Sequence, residues 1–241
     1  MDFDLSDDQL ALRDAARGVL ADLAHPRQVD GFDGGLWKAM VAQGWLGVEL
    51  PEADGGLGMG TVETAVLLEE LGRHVAPVPY LQSALALGAL HRAGRSDWVE
   101  RLLVGDVIGT VAAHPGALTI ASRLADVAVV IDDGGLTMLD LTGRRPTREP
   151  AMDLTRPLGR LAADDGERIG GPADAEQLLP PIESMRDLAI QIAIMVGLQA
   201  QQDGVAPAMS EQELRARVQQ RFWIPQYHNY KRIRKNISDQ Q

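Results

Sequence analysis

The strongest constraint on the fold is the order in which hydrophobic periodicity changes along the chain. Leu12, Ala16, Val19 and Leu23 recur at helical spacing behind Ser6-Asp7-Asp8-Gln9. That tetrad is a capping box, in which the Ser6 hydroxyl and the Gln9 amide satisfy N–H groups of the first turn. Pro26 ends the helix. Leu36 to Gln43 reads as a second helix, with Leu36, Trp37 and Met40 inward and Gly44 as its cap. Pro51 to Gly58 is a glycine-rich turn, and Thr61 to Gly72 reads as a third helix. Its Val62, Ala65, Val66 and Leu68 supply an apolar face, and Glu63, Glu69 and Glu70 supply solvated ones. Helices over Leu81 to Ala93 and Trp98 to Leu103 follow. Strand-like runs then replace them: Val107 to Ala113, Val127 to Ile131 and Leu136 to Leu141, with the hairpin signal Asp132-Asp133-Gly134-Gly135 between the last two. Past residue 175 the period is helical again, over Ile182 to Gln202. A second capping box, Ser210-Glu211-Gln212-Glu213, then opens a helix carrying Leu214, Val218 and Phe222 on one face.

Helices first and strands second predict an α+β fold class. The expected parts are an N-terminal all-α domain over 1–104, a small β domain over 105–172 and a C-terminal helical segment over 176–241. Composition divides the chain at the same place. Residues 1–175 hold 27 acids against 15 Lys and Arg, whereas 176–241 hold 7 against 8, and 11 of the 15 glutamines lie in the second part. The net charge of −11 argues against a nucleic-acid partner, since phosphate binding needs a basic surface. With no cysteine, disulfides, thiolate metal ligands and cysteine nucleophiles are excluded. The acidic N-terminus does not read as a signal peptide, and Leu188 to Ala200 is too short to cross a bilayer. The expectation is a cytoplasmic protein without a membrane partner.

Several local sequences, taken in order, carry a resemblance. Phe3 to Gln9, Trp37 to Met40 running into Gly44-Trp45-Leu46-Gly47-Val48, Pro51 to Gly58, and Leu67-Leu68-Glu69-Glu70-Leu71-Gly72 resemble the N-terminal helical domain of acyl-CoA dehydrogenases. Gly109 to Ala113, Ala125 to Val130 and Asp153 to Leu158 resemble that family's middle β domain. The resemblance, over residues 1 to about 170, implies a FAD-dependent α,β-dehydrogenation of an acyl-CoA. In such an enzyme a carboxylate base removes the α proton while a hydride passes to the flavin. It also implies a C-terminal four-helix bundle that carries the base. Two departures weaken this. Where the family usually reads Thr-Glu-Pro, this chain has Ala113-His114-Pro115, so Ala113 and His114 are the only flavin contacts the resemblance assigns. About 70 residues follow Gly171, too few for four long helices at the rise of an α-helix. No catalytic base and no metal-ligand set can be named.

Other residues have plainer readings. Gly56-Leu57-Gly58 lacks the third glycine of a dinucleotide loop, which would fall on Thr61, and reads as a turn. His74 reads as a helix C-terminal residue, and Glu69 and Glu70 as a solvated face rather than catalytic acids. From about 178 to 233 the chain resembles the C-terminal end of malic enzymes, through Leu179 to Arg186, Ile190 to Ala193, Gln202 to Ala206 and Phe222-Trp223-Ile224-Pro225-Gln226-Tyr227. In that family the segment is mainly structural. The join of the two resemblances implies a natural fusion, a rejoined reading frame or a constructed hybrid. Three functions stay open: an acyl-CoA-dehydrogenase-like subunit, incomplete alone and working in a homo- or hetero-oligomer; a malic-enzyme-related fragment; and a non-enzymatic interaction protein.

Overall fold

The computed structural model describes residues 5–25, 31–178 and 182–221. Phe3, Pro26, the Pro180-Pro181 pair, the Phe222 to Tyr227 motif and the basic tail beyond it lie outside the described residues. The chain divides into two compact units, Phe3–Pro181 and a second that holds Ile182–Gln241. The architecture is α+β, with a helical layer followed by a β layer.

In the first unit the helices are α1 (Asp7–Leu23), α2 (Gly34–Ala42), α3 (Thr61–Arg73), α4 (Tyr80–Arg92) and α5 (Ser96–Leu103). The capping box of α1 forms as read: Ser6 N–H donates to Gln9 Oε1 at 2.9 Å and Gln9 N–H donates to Ser6 Oγ at 3.2 Å. Asp33 caps α2 by accepting from the N–H groups of Gly35 and Leu36, so that helix begins two residues earlier than its apolar pattern indicates. The stripe on α1 turns toward Ala16 and Leu20, which are fully buried, while Leu23 is exposed.

The expected solvated face of α3 needs correction at Glu70. Glu69 is exposed, but Glu70 is fully buried beside the buried Val66, Leu67 and Leu71, and Val62 lies on the open side. The reason is the neighbouring helix. Arg17 of α1 lies across Glu70 with a two-pronged contact, Nη2 at 2.6 Å and Nε at 3.1 Å, and Arg73 Nε stands 3.5 Å away. Charge-assisted pairing of this kind lets a carboxylate be covered without losing its charge. Gln9 makes a second link, donating to Glu63 at 2.8 Å, so α1 and α3 are clasped at both ends.

The β layer comprises β1 (Gly109–Ala112), β2 (Leu118–Ile120), β3 (Val127–Asp132), β4 (Gly135–Asp140), β5 (Leu158–Arg160) and β6 (Glu167–Gly170), followed by α6 (Pro172–Leu178). One sheet has the order β1-β3-β4-β6, with β1 parallel to β3 and the other pairs antiparallel. β2 and β5 form a separate antiparallel pair. Strand β3 is covered on both faces, which explains its unbroken apolar run: Val127 and Val129 join the large core shared with the helices, whereas Ala128 and Val130 join a smaller cluster with Leu139 and Leu161. Helix α4 docks directly on β1. The Ser83 hydroxyl donates to the Gly109 carbonyl at 3.1 Å, and a Cβ at Gly109 would lie 2.8 Å from that of Ala86. Only glycine permits that approach.

The second unit contains α7 (Ile182–Gln202) and α8 (Glu211–Arg221). The Ser210–Glu213 capping box forms, with Ser210 N–H donating to Glu213 at 3.0 Å. Leu214 packs against Gly197 so closely that a Cβ there would meet it at 2.9 Å. Among the described residues no helix is long and apolar enough to cross a membrane.

Candidate functional site

One concavity of the first unit is a groove of about 440 Å³. Three segments make its main walls, and Gln177 and Leu178 of α6 border it. Helix α3 contributes Thr64, Ala65 and Leu68, α4 contributes Leu81, Ala84, Leu85 and Gly88, and the stretch Leu46–Leu50 forms the third wall. Small side chains create the space: Ala84 and Gly88 are four residues apart, hence on one face of α4. A Cβ at Gly88 would meet only the end of Arg92, at 3.8 Å. The volume suits a small organic ligand, and the lining is mainly apolar with a few polar groups at the edge.

The third wall is held by the turn that follows it. Gly55 and Gly58 adopt φ of +84° and +61°, a conformation that disfavours other residues. Gly56 lies against Leu50, whose carbonyl oxygen would stand 2.2 Å from an added Cβ. The glycines therefore act as a turn, as their spacing indicated. Tyr80 locks the wall from α4. Its hydroxyl is buried and donates to the Trp45 carbonyl at 3.0 Å, and burial pushes the phenol pKa well above its ordinary value. Tyr80→Phe strands that carbonyl and is expected to cost about 1–2 kcal/mol of stability, measured by denaturant titration with an unchanged slope.

Charged groups sit at the rim. Glu49 is exposed, with Thr61 Oγ1 3.5 Å away. His91 Nε2 is 3.0 Å from Asp54 Oδ2 and ties the turn to the end of α4. Glu49 is the single carboxylate among the residues that line the groove.

Ala113 and His114, the flavin contacts that the family resemblance assigns, lie just beyond the end of β1. Both are exposed, and His114 Nδ1 is 2.9 Å from the carbonyl of its own neighbour Pro115. Neither lines the α3–α4 groove. His74 caps α3 as expected, with Nδ1 2.9 Å from the Glu70 carbonyl. Sequence reasoning passed over Tyr80, Glu49 and His91. The spacing of Ala84 and Gly88 beside Leu81 and Leu85 was the available signal for an open apolar face.

Comparison with known proteins shows what the chain is similar to. Residues 6–107 match the family model of the acyl-CoA dehydrogenase N-terminal domain. The chain is 32% identical over 192 residues to the acyl-CoA dehydrogenase IpdE2 of Mycolicibacterium smegmatis, covering 75% of this chain and 61% of that protein. Among solved structures it resembles a variant of the Tcur3481-Tcur3483 steroid ACAD, with a TM-score of 0.64 and 28% identity, over 80% of this chain and 64% of that one. The chain thus spans about three fifths of the length of these relatives. A separate short similarity, 42% identity over 55 residues, is to an NAD-dependent malic enzyme of Psychrobacter arcticus, covering 23% of this chain and 10% of that enzyme.

Proposed function

We propose that the chain is an acyl-CoA-dehydrogenase-like subunit that does not carry its own catalytic base and works with a partner chain in the FAD-dependent α,β-dehydrogenation of an acyl-CoA thioester. The observation that carries this reading is the α3–α4 groove, built on a helical layer similar to that of known acyl-CoA dehydrogenases. Its apolar walls suit the hydrocarbon part of a thioester. Its one carboxylate, Glu49, is exposed at the rim. A general base needs a fixed position beside the proton it removes, and none of the described residues buried in the groove offers one.

The residues present do not fit a flavin within this chain. Ala113 offers only a methyl where the family has a hydroxyl, and the His114 imidazole is engaged with the Pro115 carbonyl. No chemical step is therefore assigned to the flavin here; further walls and the base belong to the partner. The name of the Tcur3481-Tcur3483 relative joins two components, which supports a two-chain assembly. So does the surface: Val62 and Leu81, on the two groove helices, are 51% and 40% exposed. On α2, by contrast, Leu36, Trp37 and Met40 are buried, as their spacing indicated.

The test is to assay the isolated chain with acyl-CoA thioesters of varied length and a dye acceptor. Reduction is expected only after a partner chain is added. Turnover by the chain alone, or a monodisperse monomer by light scattering with no added protein able to restore activity, contradicts the proposal. The malic-enzyme reading rests on a short stretch, and no chemistry is assigned to α7 and α8.

A further inference from the structure

Between residues 105 and 178 the chain has no lysine and seven arginines. Five have a carboxylate partner: Arg144 with Asp165, Arg145 with Asp126, Arg156 with Asp153, Arg160 with Glu149 and Arg168 with Asp132. The two that have none among the described residues, Arg123 and Arg148, line the same cleft. In a chain of net charge −11, two guanidinium groups left without carboxylates and turned to one cavity call for an explanation.

We infer that this cleft is a binding site for a phosphate group. Its volume is about 190 Å³, and the remaining walls are Gly31, Leu124, Leu154 and Pro157. Arg123 is half-buried and held in place by donating from Nη1 to the Pro146 carbonyl at 2.9 Å, which leaves its other N–H groups available. Arg148 makes no hydrogen bond or ion pair among the described residues and is exposed, free to close over an anion. Planar guanidinium forks match tetrahedral oxyanions through paired N–H···O bonds, and apolar walls strengthen the attraction by lowering the local dielectric.

Among the described residues, the carboxylates next to these arginines in sequence are engaged elsewhere. Glu149 and Asp153 flank the arginines in sequence, but Glu149 accepts from Arg160 at 3.2 Å and Asp153 from Thr155 at 2.6 Å and Arg156 at 3.4 Å. The approach of Gly31 is also built in: it adopts φ +78°, and an added Cβ would stand 3.2 Å from the Leu154 carbonyl oxygen. An adjoining void that shares Gly31, Leu124 and Pro157 is only about 20 Å³, room for a single water. A ligand therefore enters phosphate first, with any organic remainder toward solvent. This site does not depend on the dehydrogenase reading.

Calorimetric titration of the full chain with inorganic phosphate, against chloride at constant ionic strength, tests the inference. Saturable binding of one phosphate per chain is expected, weakened about tenfold or more in Arg148→Gln and Arg123→Gln and unchanged in Arg144→Gln, whose arginine is paired elsewhere. Arg148→Gln decides the matter, because that side chain holds nothing in the fold. Phenyl phosphate binding more tightly than phosphate identifies a phosphate ester as the ligand; equal binding identifies the free ion. Non-saturating heats, or equal affinity in wild type and Arg148→Gln, overturn the inference.

Discussion

Gly135→Ala is expected to lower the melting temperature of the Phe3–Pro181 unit by roughly 6–12 °C, the largest single-residue effect anticipated. Gly135 adopts φ +122°, and an added Cβ would stand 2.3 Å from the Gly170 carbonyl oxygen and 2.4 Å from the Gly171 carbonyl carbon. Backbone cannot move aside as the end of a side chain can. Strain and overpacking together amount to about 3 kcal/mol, and a unit of this size loses about 2–4 °C per kcal/mol. Gly143 supplies the control. It has φ +72° but nothing within 4 Å of an added Cβ, so Gly143→Ala isolates the conformational part, about 1 kcal/mol. Thermal unfolding followed by circular dichroism measures both, and equal shifts would show that the contact with β6 is looser than described.

Glu70→Ala is expected to destabilise the same unit by about 2–3 kcal/mol, through loss of two charge-assisted hydrogen bonds that join α1 to α3. Arg17 holds the Glu70 carboxyl below the usual glutamate range, outweighing the opposing effect of burial. The sign follows from linkage. Because the folded-state pKa is depressed, the contribution is complete above the unfolded pKa and is lost as pH falls through the lower folded value. The stability of the wild type should therefore drop on acidification below the ordinary glutamate pKa, and Glu70→Ala should flatten that limb. Urea titrations from neutral to acidic pH check this; parallel acid limbs in the two proteins would show that Glu70 is not held as described.

The helical half was legible because its signals are local. The Ser6–Gln9 box, the Gly44 cap and the Ser210–Glu213 box each involve residues three or four apart, and each forms. The Asp132 to Gly135 hairpin was legible for the same reason, and Asp132 accepts from the Gly134 N–H at 2.8 Å. What could not be read were contacts that cross between elements. Glu70 looked solvated because on its own helix it lies among glutamates; its burial comes from Arg17, 53 residues away. The strand run from Val107 was too long by three residues at its start and end together, because Ser83 and Ala86 of α4 fix where β1 begins at Gly109. The groove was missed because Leu81, Ala84, Leu85 and Gly88 read equally well as a buried face until α3 is placed beside them.

The flavin content of the purified full chain, from its visible absorbance after saturation with FAD and gel filtration, tests the central claim most directly. The position that the family resemblance assigns to a flavin contact carries Ala113 and His114, and His114 is turned onto Pro115. If the cofactor site is completed only by a partner chain, the protein alone should be colourless or hold FAD well below one per chain. A yellow protein retaining one FAD per chain would contradict the account and show that this chain builds a flavin site by itself.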